Sequence, residues 1–328
     1  MENVDLALCW ADPVDMKDLF LRTIEAECKA RRLRTIYIDE KSLPKITQDI
    51  RKGTLRIKVC LDMASETYDT KNPFTKFVYL LKDSGTRVID DPDDVKSAAD
   101  KSITHFDLLR SKIPVPYTIV IRHWEPERRL SPEERASLGL PFVVKPALGY
   151  GQKGVKIIRQ KRPLKEIAEA RQFSPGDNFL LQEFIEPLKI EGHPAWFRVY
   201  QLFGEIIPCW WNPQTHEYRQ VTLREMTEYK LIPLARIATE IGRITRIDWF
   251  SCEIAINAKN RKLVAIDYMN DQCAIYPKSE HKDGVPDDLV RHLAEKLVEK
   301  AWRHIRGEYT LTYRAIWFPR IQVKDENA

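Results

Sequence analysis

No two of the six cysteines, Cys9, Cys28, Cys60, Cys209, Cys252 and Cys273, stand at the close spacing that zinc sites and redox motifs need. Most lie in apolar company and read as buried free thiols, which suits a reducing cytoplasm. No apolar run approaches the ~18 residues of a membrane span, so no membrane contact is expected. The opening MENVDLALCWADP carries acidic residues where a signal peptide needs positive charge, and its apolar run breaks off within a few residues. There is no internal repeat, heptad run or low-complexity stretch. Basic residues form no long tail either. The formal net charge of +5 is spread over short clusters at 29–34, 122–129 and 159–162, too scattered for a nucleic-acid footprint but suited to a site that receives phosphates.

At 328 residues the chain exceeds what one hydrophobic core usually serves, so two or three subdomains are expected. Apolar strand candidates at 4–10, 34–38 and 55–61 alternate with a helical segment at 17–31, the pattern of a mostly parallel sheet with helices on its faces. Residues 93–110 read as one or two helices, started by Asp91-Pro92-Asp93 and ended by Ile113-Pro-Val-Pro116, because proline removes a donor and restricts the residue before it. A strand follows at 117–121 and a helix at 132–138. The buried strand Pro141-Phe-Val-Val-Lys-Pro146 then leads through the glycine-rich stretch Ala147-Leu-Gly-Tyr-Gly-Gln-Lys-Gly154 straight into a strand at 155–159. That is a hairpin, not the strand-to-helix arrangement of a P-loop. Beyond it, 163–170 reads as a helix, 178–185 as a strand, and 197–203 with 205–210 as a hairpin around Gly204. Helical spacing returns at 227–242, strands at 249–256 and 263–269, and a closing helix at 286–305 carries Leu289, Leu293, Leu297, Ala301 and Ile305 on one face.

Two clusters carry chemistry. Gly149, Gly151 and Gly154 permit close backbone approach, so that amide N–H groups can surround phosphate oxygens. A glycine loop by itself more often marks a surface turn. Lys145, four residues before Gly149 at the end of an apolar strand, favours the phosphate reading as a cation aimed at what the loop holds. The second cluster interrupts two strands otherwise rich in apolar residues, Arg246-Ile-Asp-Trp-Phe-Ser-Cys-Glu253 and Lys262-Leu-Val-Ala-Ile-Asp267-Tyr-Met-Asn270-Asp271. A buried carboxylate needs a cation, a donor or a metal. Strands joined by the tight turn at 257–261 would bring Glu253 and Asp267 together, and with the amide oxygen of Asn270 they form a hard oxygen site suited to Mg²⁺. The plainer alternative is that both acids pair with arginines such as Arg243 or Arg246.

The order of these parts is more specific than any one of them. Val88-Ile-Asp-Asp-Pro92 is followed by Asp100-Lys101, the Ile113-Pro-Val-Pro116 entry, Phe142-Val-Val-Lys145-Pro146 with its glycine loop, Leu181-Gln-Glu-Phe-Ile185, Phe197-Arg198-Val199, and then Glu253, Asp267 and Asn270. In this the chain from about residue 88 to residue 273 resembles the ATP-grasp superfamily. It looks most like the branch of ribosomal-protein glutamate ligases, glutathione synthetases and D-alanine:D-alanine ligases, with the inositol phosphate kinases more distant.

The resemblance implies an ATP-grasp fold of α/β class with three subdomains: an N-terminal α/β domain at 1–95, a central lid domain at 96–180, and a C-terminal domain at 181–328 carrying the Mg²⁺ ligands. Nucleotide would lie between the central and C-terminal subdomains. Lys101 and Lys145 would contact phosphates under the Gly149, Gly151 and Gly154 loop. The segment Gln182, Glu183, Phe184, Ile185 would hold adenine, with the Glu183 carbonyl accepting and the Ile185 amide donating. Arg198 would stabilise the transferring phosphoryl group, and Glu253, Asp267 and Asn270 would hold Mg²⁺. The family pattern is Glu-x-Asn where this chain has Asp267-Tyr-Met-Asn270; a strand bulge would restore the geometry, or Asp271 would replace Asn270. Trp196 stands where an acid is expected, which leaves the ribose contact to Glu186 or Glu191. The implied activity is an ATP-dependent carboxylate–amine or carboxylate–thiol ligase acting through an acylphosphate on a small-molecule or peptide acceptor. A kinase phosphorylating a hydroxyl and a non-catalytic nucleotide-binding protein are the rival readings, and a homodimer is among the assemblies the resemblance allows.

Overall fold

Val4, Leu6 and Leu8 on one face of the first strand and Ala7 and Cys9 on the other are all buried, the mark of a strand covered on both sides. In the computed structural model, which describes residues 1–125, 128–149, 154–159, 176–215, 217–273, 275–308 and 315–318, this strand, β1 (Glu2–Trp10), lies inside a parallel sheet of order β2-β1-β3-β4. Its neighbours are β2 (Thr35–Ile38) and β3 (Leu55–Met63), with β4 (Arg87–Ile89) beyond β3. Helix α1 (Leu19–Ala30), capped by the Asp18 side chain on the Leu21 N–H, covers one face. Helices α2 (Leu43–Arg51) and α3 (Pro73–Asp83) pack on the other, where Phe74, Phe77 and Leu81 meet Ala7, Cys9 and Cys60.

After α4 (Pro92–Ala99) and α5 (Lys101–Arg110) comes an antiparallel sheet of order β5-β8-β6-β7. It consists of β5 (Thr118–Ile121), β6 (Phe142–Pro146), β7 (Lys156–Ile158) and β8 (Phe179–Glu183), with α6 (Pro132–Leu138) beside it. The pairing of β6 with β7 makes the glycine-rich connection a hairpin. The boundary expected at 180/181 falls inside β8, whose Leu181, Gln182 and Glu183 still pair with β5 and β6; sheet pairing, not a loop, carries the chain past that point. The helix expected at 163–170 lies outside the described residues.

A short ribbon, β9 (Lys189–Ile190) with β10 (His193–Pro194), precedes the largest sheet. Its order is β13-β12-β11-β14-β15, from β11 (Trp196–Leu202), β12 (Glu205–Trp211), β13 (Tyr218–Gln220), β14 (Trp249–Ile256) and β15 (Leu263–Asn270); β16 (Ala315–Ile316) adds to β12. The single helix expected at 227–242 is two, α7 (Leu223–Glu228) and α8 (Ile232–Thr245). Lys230 between them has φ +56°, and Pro233, at the start of α8, could not continue a preceding helix. Helix α8 covers one face of this sheet. The last helix, α9 (Asp287–Ile305), covers the other and simultaneously packs on α1, so Leu289, Leu293 and Leu297 share one core with Leu6, Leu8, Tyr200 and Ile207.

A polar tie joins the first sheet to the last: the Asp90 carboxylate accepts the backbone N–H groups of Asp248 and Trp249, each at 2.9 Å. Burial, with the Asp248 charge beside it, pushes the Asp90 carboxyl well above its ordinary range. All six cysteines are buried free thiols. Among the described residues no helix is long and apolar enough to cross a membrane.

Candidate active site

One cleft of ≈ 1260 Å³ opens where the three sheets meet. Its walls include Lys101, Lys145, Gly149, Gln182, Glu183, Phe184, Ile185, Arg198, Glu253, Asp267 and Asn270, residues that reach it from α5, β6, β8, β11, β14 and β15. Gly154 and Glu191 are not among the lining residues, and Gly151 lies outside the described ones.

Lys145 is 7% exposed at the end of β6, and its Nζ donates to the Ile266 carbonyl at 3.0 Å while lying 5.3 Å over the Tyr268 ring. Burial pulls the ammonium down to about 8; Asp267 works against that shift and Lys101 adds to it. Lys101 starts α5 and donates from Nζ to the Gly149 carbonyl at 2.9 Å, which places both cations at the entrance of the glycine stretch. Gly149 has φ +140° and Gly154 φ +75°, and a Cβ at either would come within 3.3 Å of Pro146, so glycine lets the backbone pass closely over that proline. Asp177 fixes the same entrance by accepting the Leu148 N–H, and burial raises its carboxyl to about 6.

Arg198 and Glu253 face one another across β11 and β14. The guanidinium pairs with Glu253, donates to the Tyr218 hydroxyl and lies 4.2 Å over the Trp211 ring. Burial opposes its charge most strongly, but Glu253, Tyr218 and Tyr200 together outweigh burial and hold the guanidinium above its ordinary range. The other Glu253 oxygen accepts from Trp196 Nε1 at 2.9 Å. An arginine partner for Glu253 is therefore present, but it is Arg198; Arg243 pairs with Glu240 and Arg246 with Asp94.

Glu253 stands opposite Asp267 in the β14–β15 pairing, and the register shifts on both sides of that pair. Between Ser251↔Asn270 and Glu253↔Asp267 the second strand carries one extra residue, a bulge, and Asp267 and Asn270 both line the cleft. Asp271 does not line it, and burial raises its carboxyl to about 6. Oδ1 of Asp267 is buried without a hydrogen-bond partner. A buried carboxylate oxygen left over at the wall of a cleft is suited to a cation, and Asp267 with Asn270 is the kind of sparse oxygen set Mg²⁺ takes when phosphates and waters complete its shell. Among the described residues no three His, Cys, Asp or Glu side chains converge on one metal position.

The Gln182 side chain turns from the cleft into a buried network. Its Nε2 donates to the Tyr268 hydroxyl at 3.0 Å and to Thr118 Oγ1 at 3.2 Å, and the Tyr268 hydroxyl meets His105 Nδ1 at 2.7 Å. Burial lowers His105 to about 4, so the ring is neutral near pH 7. Residues 183–185 line the cleft, which Val143 and the half-exposed Val155 and Ile157 also wall. Of the two acids expected at a ribose, Glu186 lines the cleft, whereas Glu191 accepts the Tyr229 hydroxyl at 2.7 Å. Trp196, Trp211, Tyr218, Tyr268 and Asp177 were not legible as site residues; the available signal was the aromatic run flanking Arg198 along β11 and β12.

No protein-family model and no curated protein matches the chain. Solved structures do. D-alanine–D-alanine ligase from Bacillus anthracis, complexed with ATP, aligns with a TM-score of 0.61 at 14% identity over 94% of this chain and 100% of its own. The chain has the ATP-grasp fold. A RimK domain ATP-grasp protein from Sphaerobacter thermophilus aligns at TM-score 0.58 and 18% identity, covering 90% of this chain and 98% of its own. The ATP-grasp ligase PsnB, complexed with a minimal precursor, Mg and ADP, aligns at 0.58 and 11% over 93% and 100%. The fold expected from the motifs is thus the fold found, and ATP-grasp topology accounts for the meeting of three sheets at one cleft.

Proposed function

We propose that this ATP-grasp chain is an ATP- and Mg²⁺-dependent ligase that activates a carboxylate as an acylphosphate and passes it to an amine or thiol of a small-molecule or peptide acceptor. One observation carries the reading: the unpartnered Oδ1 of Asp267 sits in the same wall as the desolvated Lys145 ammonium, which is bonded to the adjacent residue's carbonyl. A buried anion and a buried cation, each short of partners at a cleft, suit a polyphosphate carrying a divalent ion.

In this reading adenine lies against Val143 and Ile157, with the Glu183 carbonyl and the Ile185 amide reading its edge and Glu186 near the ribose. Lys101 and Lys145 neutralise the phosphates beneath the glycine stretch. Asp267 and Asn270 would hold Mg²⁺, with Glu253 behind them, and the ion would supply charge neutralisation to the nucleotide phosphates. Arg198, held rigid by Glu253, Tyr218 and Trp211, presents its fixed fork of donors to the phosphoryl group in transfer. Positioning and charge neutralisation are what such transfer requires of a protein.

The test is interception. An acylphosphate is a mixed anhydride that hydroxylamine captures, so the correct acid with MgATP and hydroxylamine, without an amine, should yield hydroxamate in step with ADP. A stable phosphate ester, labelled from γ-³²P ATP and untouched by hydroxylamine, would assign the cleft to a kinase instead. ATP binding with no turnover on any acid or hydroxyl acceptor would reduce it to nucleotide binding.

A further inference from the structure

Glu253 lies on β14 between β11 and β15, with Arg198 opposite it on one side and Asp267 on the other. Its carboxylate is committed to the β11 side. Trp196 and Arg198 stand two residues apart on β11, so both side chains leave the same face of the sheet as the acid they flank. Oε1 accepts from Arg198 Nη2 and Oε2 accepts from Trp196 Nε1 at 2.9 Å, so each oxygen already has a donor. The Glu253 side chain is only 13% exposed. The indole is fixed in turn, because Trp196 packs with Ile185, Ala255, Val264 and Ile266. On the β15 side the situation is reversed: Oδ1 of Asp267 is buried without a partner, and Asp267 lines the cleft with Asn270. Of two neighbouring acids, the protein neutralises one and leaves the other for a ligand.

We infer that Trp196 and Arg198 withdraw Glu253 from metal binding, so that the cleft holds a single divalent ion with its nucleotide, on Asp267 and Asn270. For Glu253 to ligate a second ion, Oε2 would have to leave the Trp196 N–H without an acceptor, or Oε1 would have to release a buried guanidinium. The second ion would also lie beside the Arg198 charge, with one carboxylate to offset both. Trp196 acts here through Glu253, as a positioning residue whose N–H holds the carboxylate toward β11. The inference rests on the nucleotide and Mg²⁺ reading of the cleft proposed above, but not on which acceptor takes the phosphoryl group.

The test is a count of ions. Mn²⁺ is titrated into the protein with the β,γ-imido analogue of ATP, which is not turned over, and unbound Mn²⁺ is read from its electron paramagnetic resonance signal. Protein without nucleotide and nucleotide without protein are the controls. One Mn²⁺ per bound nucleotide is expected. Trp196→Phe keeps an aromatic ring and removes the N–H, so Oε2 is released and a second Mn²⁺ should bind by about 1 mM free ion. Asp267→Asn should weaken the single ion at least about tenfold, and Glu253→Gln less than about threefold. Two Mn²⁺ in the parent, only one in Trp196→Phe, or equal losses in Asp267→Asn and Glu253→Gln would overturn the inference. Should Glu253→Gln fail to fold, the counts in the parent and in Trp196→Phe decide. Absence of any Mn²⁺ from the protein–nucleotide complex would sink the Mg²⁺ reading of the cleft together with this inference, whereas two ions in the parent would leave that reading standing and remove this one alone.

Discussion

The Tyr268 hydroxyl lies 2.7 Å from Nδ1 of His105, a contact that joins β15 to α5 behind the cleft. Gln182 on β8 donates to the same oxygen, so one phenol links the central and C-terminal sheets. Tyr268→Phe keeps the ring beneath Lys145 but leaves the buried His105 nitrogen without its hydroxyl partner. The variant should be about 1–3 kcal/mol less stable to urea, the usual cost of a buried group left unpaired. Stability equal to that of the parent would show that the network contributes nothing.

Lys145 gives a pH signature. Its folded value of about 8 lies below the ordinary 10.5, so between these values the unfolded chain holds a proton that the folded chain has released. The Lys145 contribution to stability therefore increases as pH rises from about 8 to about 10.5, and Lys145→Met should flatten that part of the stability–pH curve. Phosphate beside the ammonium would restore its proton, so MgADP binding at about pH 9 should take up protons in the parent and not in the variant. Calorimetry in buffers of different ionisation enthalpy reads this directly, and zero uptake would remove Lys145 from the phosphates.

Asp267→Asn keeps the shape of the side chain and removes the charge behind its orphaned oxygen. Folding should be retained, with a melting temperature equal to or above that of the parent, while ATP turnover and the Mg²⁺-dependent thermal stabilisation by ADP are lost. An unfolded variant would make Asp267 a structural ion-pair partner. Full turnover would exclude it from holding metal.

Glu253→Gln breaks the pair with Arg198, whose side chains are 11% and 13% exposed. The guanidinium would remain buried without its counter-charge, and the loss should reach about 3 kcal/mol in chemical denaturation. Replacing both with methionine should cost less than the single change, because no charge is then left behind. The opposite order would mean that the pair itself holds the strands together.

Much of this was readable from residue order. β14 matches the expected strand end for end, and α6 begins where Ser131, Pro132 and Glu134 spell out a capping box. The helices α2 and α3 went unread although each has proline in its first turn after Ser42 or Asn72, and although Phe74, Phe77, Val78 and Leu81 recur at helical spacing in α3. Lys145, Asp267 and Asn270 were visible because charge or amide in an apolar strand demands a partner. Trp196 and Tyr268 were not, because an aromatic residue in a strand reads as core, and only register places the indole on Glu253 and the phenol on His105. One strand carries the chain past residue 180, and nothing local in Phe179–Glu183 tells which sheet it joins.

Helix α9 lies between the first sheet and the last and completes the core of both. While the chain is still emerging from the ribosome, Leu6, Leu8, Val59 and Leu61 therefore have α1 on their face but not the partner that shields the rest of it. The first ninety or so residues would spend most of synthesis, at roughly 5–20 residues per second, with apolar surface uncovered and in need of chaperone protection. A chain cut before Asp287 would keep every described residue that lines the cleft and leave the apolar face shared by the first and last sheets uncovered.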